Sequence, residues 1–200
     1  MEKNDRIKKL VLGILVLCVG MVFLAGCGSV QEKDSAETEE TASAGKEEHK
    51  IQIGLTVDSF VIERWIRDRD VFVATARELG ADVNVQDAGA DAEEQISQIE
   101  YFISKQVDVI VVIARDCGVL SDVVQKAQNA GIPVISYDRM INNANTDFYI
   151  SFDNRKVGEI MAQALIDAIP QGGDIFMIQG SSSDNNVKML KEGFDDTLED

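Results

Sequence analysis

From Ile51 to its C-terminal region the chain repeats one unit, a short apolar run followed by a longer stretch with apolar residues at helical spacing. Ile51–Val57 predicts a strand. Glu63–Leu79 predicts a helix, led in by Ile62 and carrying Trp65, Ile66, Phe72, Val73, Ala76 and Leu79 along one side. Gly80 stands where a helix ends in the left-handed conformation that glycine adopts without strain. A strand over Asp82–Gln86, a helix over Ala92–Lys105 facing inward through Ile96, Ile99 and Phe102, and a strand over Val107–Ile113 come next. The pattern goes on with a helix over Leu120–Ala130 stopped by Gly131, then strands over Pro133–Tyr137 and Phe148–Phe152. A helix over Asn154–Ile169, a strand over Asp174–Gln179 and a helix from Asn185 to about Leu198 complete it.

Strand and helix alternate and no two of these strands are joined by a tight hairpin, which implies parallel strands. The apolar run of Val107–Ile113 marks a strand covered on both faces. The fold class that follows is a doubly wound α/β sheet with right-handed crossovers and helices on both sides.

Ligands of such sheets bind beyond the carboxyl ends of the strands. Asp58–Arg64, Gly89–Asp91, Ala114–Gly118, Asp138–Asn143, Asp153–Asn154 and Gly180–Asn186 fall there. They bring carboxylates (Asp58, Glu63, Asp116, Asp138, Asp184), guanidinium forks (Arg64, Arg115, Arg139) and amides (Asn185, Asn186) to one rim, with Phe60 as the available aromatic. That mixture suits a neutral polyol, whose hydroxyls both donate and accept, and a ring can cover its C–H face. Plainer uses stay open, since Ser183, Asp184 and Asn154 precede helices and suit N-caps equally well. Trp65 lies on the apolar face of its helix and belongs to the core.

A formal charge of −16 argues against nucleic acid, whose phosphates demand basic stripes, and against an anionic ligand. No glycine follows Gly54 in "TVDSFVIERW", so the phosphate fingerprint of a Rossmann or flavodoxin-type enzyme is absent there; neither an enzyme nor a cofactor is expected.

The N-terminus addresses the chain. Lys3, Arg6, Lys8 and Lys9 precede an uncharged apolar run, Leu10–Leu24, that ends in Leu24-Ala25-Gly26-Cys27. This is the form of a secretory signal. The ending resembles a bacterial lipobox, which implies acylation of Cys27 and a lipid anchor on the outer face of the cell membrane. Residues 1–26 are then the signal, and 27–50 an acidic tether too poor in apolar residues to fold. Of three cysteines only Cys117 remains for the domain, so no internal disulfide is expected. The single histidine, His49, lies outside the domain, and Cys117 reads as a small, partly buried residue.

The stretches "ERWIRDRDVFV", "QISQIE", "VDVIVVIA", "YDRMINNANTDFYISFDNRKVGE" and "SSSDNNVKML" resemble the xylose-binding branch of the type I periplasmic sugar-binding proteins, over nearly all of Ile51–Leu198. The resemblance implies a two-lobed receptor that closes on a monosaccharide, D-xylose or a similar aldose, and delivers it to an ABC-type permease. It implies ligand contacts at Arg64, Asp138, Arg139, Asp184 and Asn186, with Asn185 as a neighbour, and a hinge crossing at Asp153 and Asn154. Where that family tends to carry Pro-Tyr-Asn, this chain has Ala114-Arg115-Asp116, a change that bears on which sugar is bound.

On this reading residues 51–153 form the first lobe and 154–200 the start of a second. The strand at Asp174–Gln179 has too few companions for a stable sheet, since about three are needed. Val157, Ile160, Met161, Leu165, Phe176 and Met189 are therefore expected to be partly uncovered, and a truncated or split gene product is expected. A sugar-responsive repressor has the same fold but needs a DNA-binding helix pair at its start. A lipoprotein presenting sugar to a sensor kinase or chemoreceptor stays open beside transport.

Overall fold

The structure, a computed structural model, describes residues 49–199. The expected secretion signal, Cys27 and the expected tether as far as residue 48 lie outside the described residues.

Five strands, β1 (Gln52–Val57), β2 (Asp82–Asp87), β3 (Val109–Ile113), β4 (Val134–Tyr137) and β5 (Phe148–Ile150), form one sheet in the order β2-β1-β3-β4-β5. Every adjacent pair is parallel, as the absence of hairpins predicts. The helices are α1 (Glu63–Glu78), α2 (Ala92–Lys105), α3 (Ser121–Asn129), α4 (Asn154–Ala168) and α5 (Asn185–Glu199). Registers Val57↔Asp87, Val57↔Ile113 and Tyr137↔Ile150 bring the strands out at one rim.

Alternation along β3 divides the core in two. Ile110 and Val112 face α2 and α3, where Ile99, Phe102, Leu120, Val123, Val124 and Ala127 are all but fully buried. Val111 and Ile113 face the other way with Leu55, Val57 and Trp65, backed by Phe72. Gly54 sits where a Cβ would lie 2.6 Å from the Phe102 ring, so α2 packs directly on the backbone of β1. Gly80 and Gly131 follow α1 and α3 with φ of 84° and 79°, as expected at those helix ends.

Two buried glutamines on α2 tie this frame to the rim. Gln95 donates from Nε2 to the Ile113 carbonyl at 3.0 Å and accepts from Arg115 N at 2.7 Å. Gln98 accepts from Thr56 Oγ1 at 2.7 Å and donates to the Asp87 carbonyl at 2.9 Å. Their hydrogen bonds serve backbone at the ends of β2 and β3 and the Thr56 hydroxyl on β1, which fixes where the rim loops begin.

Helices α4 and α5 pack against each other at glycines. A Cβ on Gly158 would lie 2.0 Å from the Leu190 carbonyl oxygen, and one on Gly193 would lie 2.1 Å from that of Arg155. The expected strand over 174–179 does not form: the segment pairs with no strand among the described residues, and Phe176 and Ile178 are 99% and 98% exposed. An extended segment becomes a strand only when a neighbour takes its N–H and C=O groups, however apolar its side chains are. Around it Val157, Ile160 and Met161 are exposed and Leu165 and Met189 half-buried, as expected for a face without a sheet.

Candidate functional site

The rim gathers two chains of charged side chains. Asp58 follows β1 and is 1% exposed. Its Oδ2 accepts from Arg139 Nη1 at 2.7 Å, and that same nitrogen donates to the Ala114 carbonyl at 3.0 Å. Arg139 Nε lies 2.9 Å from Asp184 Oδ2, an ion-pair contact with the N–H directed off the oxygen. One arginine after β4 thus joins the end of β1 to the loop before α5.

Asp138 heads the second chain. It takes φ of 63°, a left-handed conformation that Asp tolerates better than most residues. Its N–H donates to the Ile150 carbonyl at 2.7 Å, and its own carbonyl accepts from Ser151 Oγ at 2.6 Å. The strained backbone is therefore held by β5 and turns the carboxylate back over the rim. Oδ2 accepts from Arg64 Nη2 at 2.5 Å and Oδ1 from Asn186 Nδ2 at 2.8 Å. Asn186 in turn accepts from Asn154 Nδ2 at 3.0 Å, and both amides are buried. Burial works against the charge on Arg64, but the hydrogen bond and charge of Asp138 outweigh it and raise its pKa.

Five of the residues singled out from the sequence therefore meet through direct bonds: Arg64, Asp138, Arg139, Asp184 and Asn186. Of the caps weighed against ligand contact, that of Asp184 is present, its Oδ1 accepting from Asn186 N at 2.9 Å at the start of α5. At α4 the cap is Asp153, whose Oδ1 accepts from Lys156 N at 2.9 Å, and not Asn154, which is the first residue of the helix. Asn185 stands to one side, its Nδ2 bonded to Asn142 Oδ1. Phe60 packs against the Leu55 and Val57 cluster, with the Arg69 guanidinium 4.8 Å above its ring. Trp65 is 3% exposed, in the core as its helical position predicts, yet Arg64 lies 4.4 Å and Arg139 5.6 Å from its ring. The indole face thus underlies both cations. Cys117 is buried, accepts from Asn142 Nδ2 at 3.2 Å, and has its thiol pKa raised by burial and then by Asp116.

Asp58 was among the rim carboxylates offered by the sequence, though not among the ligand contacts implied by the resemblance. Two further participants, Asp68 and Phe152, were not picked out from the sequence. Asp68, one turn beyond Arg64, lies 3.4 Å from Arg64 Nε and accepts from Tyr137 Oη at 3.1 Å. Phe152 is 66% exposed with Arg64 5.4 Å from its ring, and it borders a recess of ≈ 260 Å³ with Arg64, Tyr137, Asp138, Ile150 and Ser151. Its strand-end position equals that of Phe60 in kind, and nothing in the sequence ranks the two. Chemically the rim offers fixed acceptors, fixed donors and an open aromatic face without a metal cluster among the described residues.

A doubly wound parallel sheet with polar side chains gathered beyond its strand ends is the architecture of an α/β domain whose ligand site, where it has one, lies at that rim. The chain belongs to the periplasmic binding protein domain family, whose profile matches residues 53–200. It is 51% identical over 144 residues to the D-xylose-binding periplasmic protein of Escherichia coli, covering 72% of this chain and 43% of that one. It is 48% identical over 143 residues to the protein of the same description from Haemophilus influenzae, again covering 72% and 43%. The chain thus spans less than half the length of these curated relatives. Among solved structures, an ABC transporter solute-binding protein of Clostridium phytofermentans with bound β-D-glucose superposes with a TM-score of 0.70 at 27% identity, covering 74% of this chain and 48% of the other. The family is one of binding proteins, not enzymes.

Proposed function

We propose that this protein is an extracytoplasmic monosaccharide receptor with D-xylose, or a similar aldose, as its ligand. The observation that carries the proposal is the direct bonding of Arg64, Asp138, Arg139, Asp184 and Asn186 at the strand ends. Oriented carboxylates, guanidinium groups and amides are what a ring of hydroxyls needs, and their bonds to it are charge-assisted. The identity of about half to xylose-binding relatives points to the same sugar. In this reading Asn185 and Phe60 flank the ligand, Asp153 and Asn154 serve as hinge, and the loaded receptor delivers sugar to an ABC-type permease. The Leu-Ala-Gly-Cys ending supports a lipid anchor on Cys27 that keeps the receptor at the membrane surface.

Calorimetric titration of the full gene product with xylose, ribose, galactose and glucose tests the ligand. Xylose is expected to bind, and Asp138→Ala and Arg139→Ala each to weaken it about tenfold or more, as loss of a charge-assisted bond does. No heat from xylose at millimolar concentration, or unchanged binding by both variants, would overturn the assignment.

A further inference from the structure

We infer that Asp58 is a positioning residue for sugar binding, acting through Arg139; the inference rests on the receptor reading above. A guanidinium has five N–H donors in a fixed plane. Arg139 Nη1 donates to Asp58 Oδ2 and to the Ala114 carbonyl, and Nε is held against Asp184. Nη2 has no hydrogen-bond partner among the described residues and is the part of the fork left for a ligand. Two contacts on Nη1 fix the plane, and the one bearing charge is Asp58.

Asp58 is itself held by its neighbours. Its backbone carbonyl accepts from Ala90 N at 2.8 Å, from the loop after β2, and its side chain is 2% exposed against 12% for Arg139. Its Oδ1 is buried with no hydrogen bond, and the nearest cation is Arg115, with Nε at 3.7 Å. Asp58 therefore lies between two guanidinium groups, accepting a hydrogen bond from Arg139 and facing the charge of Arg115. An amide in its place would turn an NH₂ toward one of these donors and lose the charge that holds Arg139. Preorganised donors bind more tightly because less ordering is left for the moment of binding.

The test reads the clamp with and without sugar. Asp58→Asn is expected to weaken xylose binding about tenfold, and in an Arg139→Gln background the same change is expected to add less than about twofold, since coupled residues are not additive. In arginine side-chain ¹⁵N NMR of the sugar-free protein, Arg139 is expected to give separate, slowly exchanging Nη signals. These should merge in Asp58→Asn and, more fully, in Asp58→Ala. Wild-type-like xylose binding by Asp58→Asn, or additive losses in the pair, would overturn the inference while leaving the receptor reading in place. If the unaltered protein binds none of the sugars, the receptor reading falls instead. The NMR signals then decide the clamp alone, and their persistence in Asp58→Asn overturns it. A shared melting midpoint of wild type and Asp58→Asn shows that any lost affinity is not lost folding.

Discussion

Asp108 shows how single carboxylates at the opposite edge of the sheet hold the fold. Its Oδ2 accepts from Gln52 N at 2.7 Å and its Oδ1 contacts His49 at 2.8 Å, so the start of β1 is pinned beside the start of β3. The backbone hydrogen bond first, then His49, lowers its pKa. Asp147 does the same for β4, accepting from Val134 N at 2.8 Å with its pKa lowered chiefly by that bond. A carboxylate whose folded pKa lies below its unfolded value stabilises above the unfolded pKa, and that contribution is lost as pH falls through the folded one. The melting midpoint is therefore expected to hold from neutral pH down to about 5 and to drop below about 4, near the ordinary Asp range. Asp108→Asn and Asp147→Asn should each lower the midpoint at pH 7 and flatten its decline in acid. An acid decline as steep in both variants as in the parent would show that other groups carry it.

The pairing of α4 with α5 sets a sign that helix propensity alone gets wrong. Gly→Ala in an exposed helix interior stabilises by roughly 0.5–1 kcal/mol. Gly158 and Gly193 are buried at backbone contacts, where an added methyl meets a carbonyl oxygen at 2.0 and 2.1 Å. Gly158→Ala and Gly193→Ala must push the helices apart, and each is expected to cost about 1–3 kcal/mol, the range for overpacking. Urea denaturation followed by circular dichroism measures it; stabilisation by either variant would mean that the two helices are free to separate. The separation of thirty-five positions hides this relation in the sequence, where each glycine looks like an ordinary weak point in a helix.

At the scale of the whole molecule the first sheet is covered by α2 and α3 on one side and α1 on the other, while α4 and α5 present an open apolar face. A cleft of ≈ 370 Å³ lies there, bordered by Met161, Leu165, Phe176, Ile178, Leu190 and Phe194. Exposed apolar patches of this kind bind hydrophobic dyes and promote association. The 200-residue chain is expected to enhance anilinonaphthalene sulfonate fluorescence, and Phe176→Asp with Ile178→Asp to reduce that signal markedly without changing the sheet's circular dichroism. Equal dye fluorescence from the double variant would place the binding surface elsewhere.

How much of this was legible follows from the range of each interaction. Strand and helix periods are local, so the alternation from Ile51 onward predicted the parallel sheet, and the two helix-ending glycines fell where expected. Residues following strands were legible as rim candidates by the same rule, and the resemblance to the sugar-binding family is what narrowed them to Arg64, Asp138, Arg139, Asp184 and Asn186. The apolar period of 174–179 was local too, but a strand also needs a hydrogen-bonding partner, and pairing is not a property of the segment itself. Partnership between side chains was equally out of reach. That Asp58 holds Arg139 across eighty-one positions, that Asp138 turns back through a left-handed φ, and that Arg64 and Arg139 share the face of Trp65 depend on where distant strands end in space. Local pattern was enough to read the alternating elements, the parallel connection and most of the polar residues that reach the rim. Tertiary structure alone decided which of those residues bond to one another, because hydrogen bonds and ion pairs act over a few ångströms while the residues that make them lie tens of positions apart.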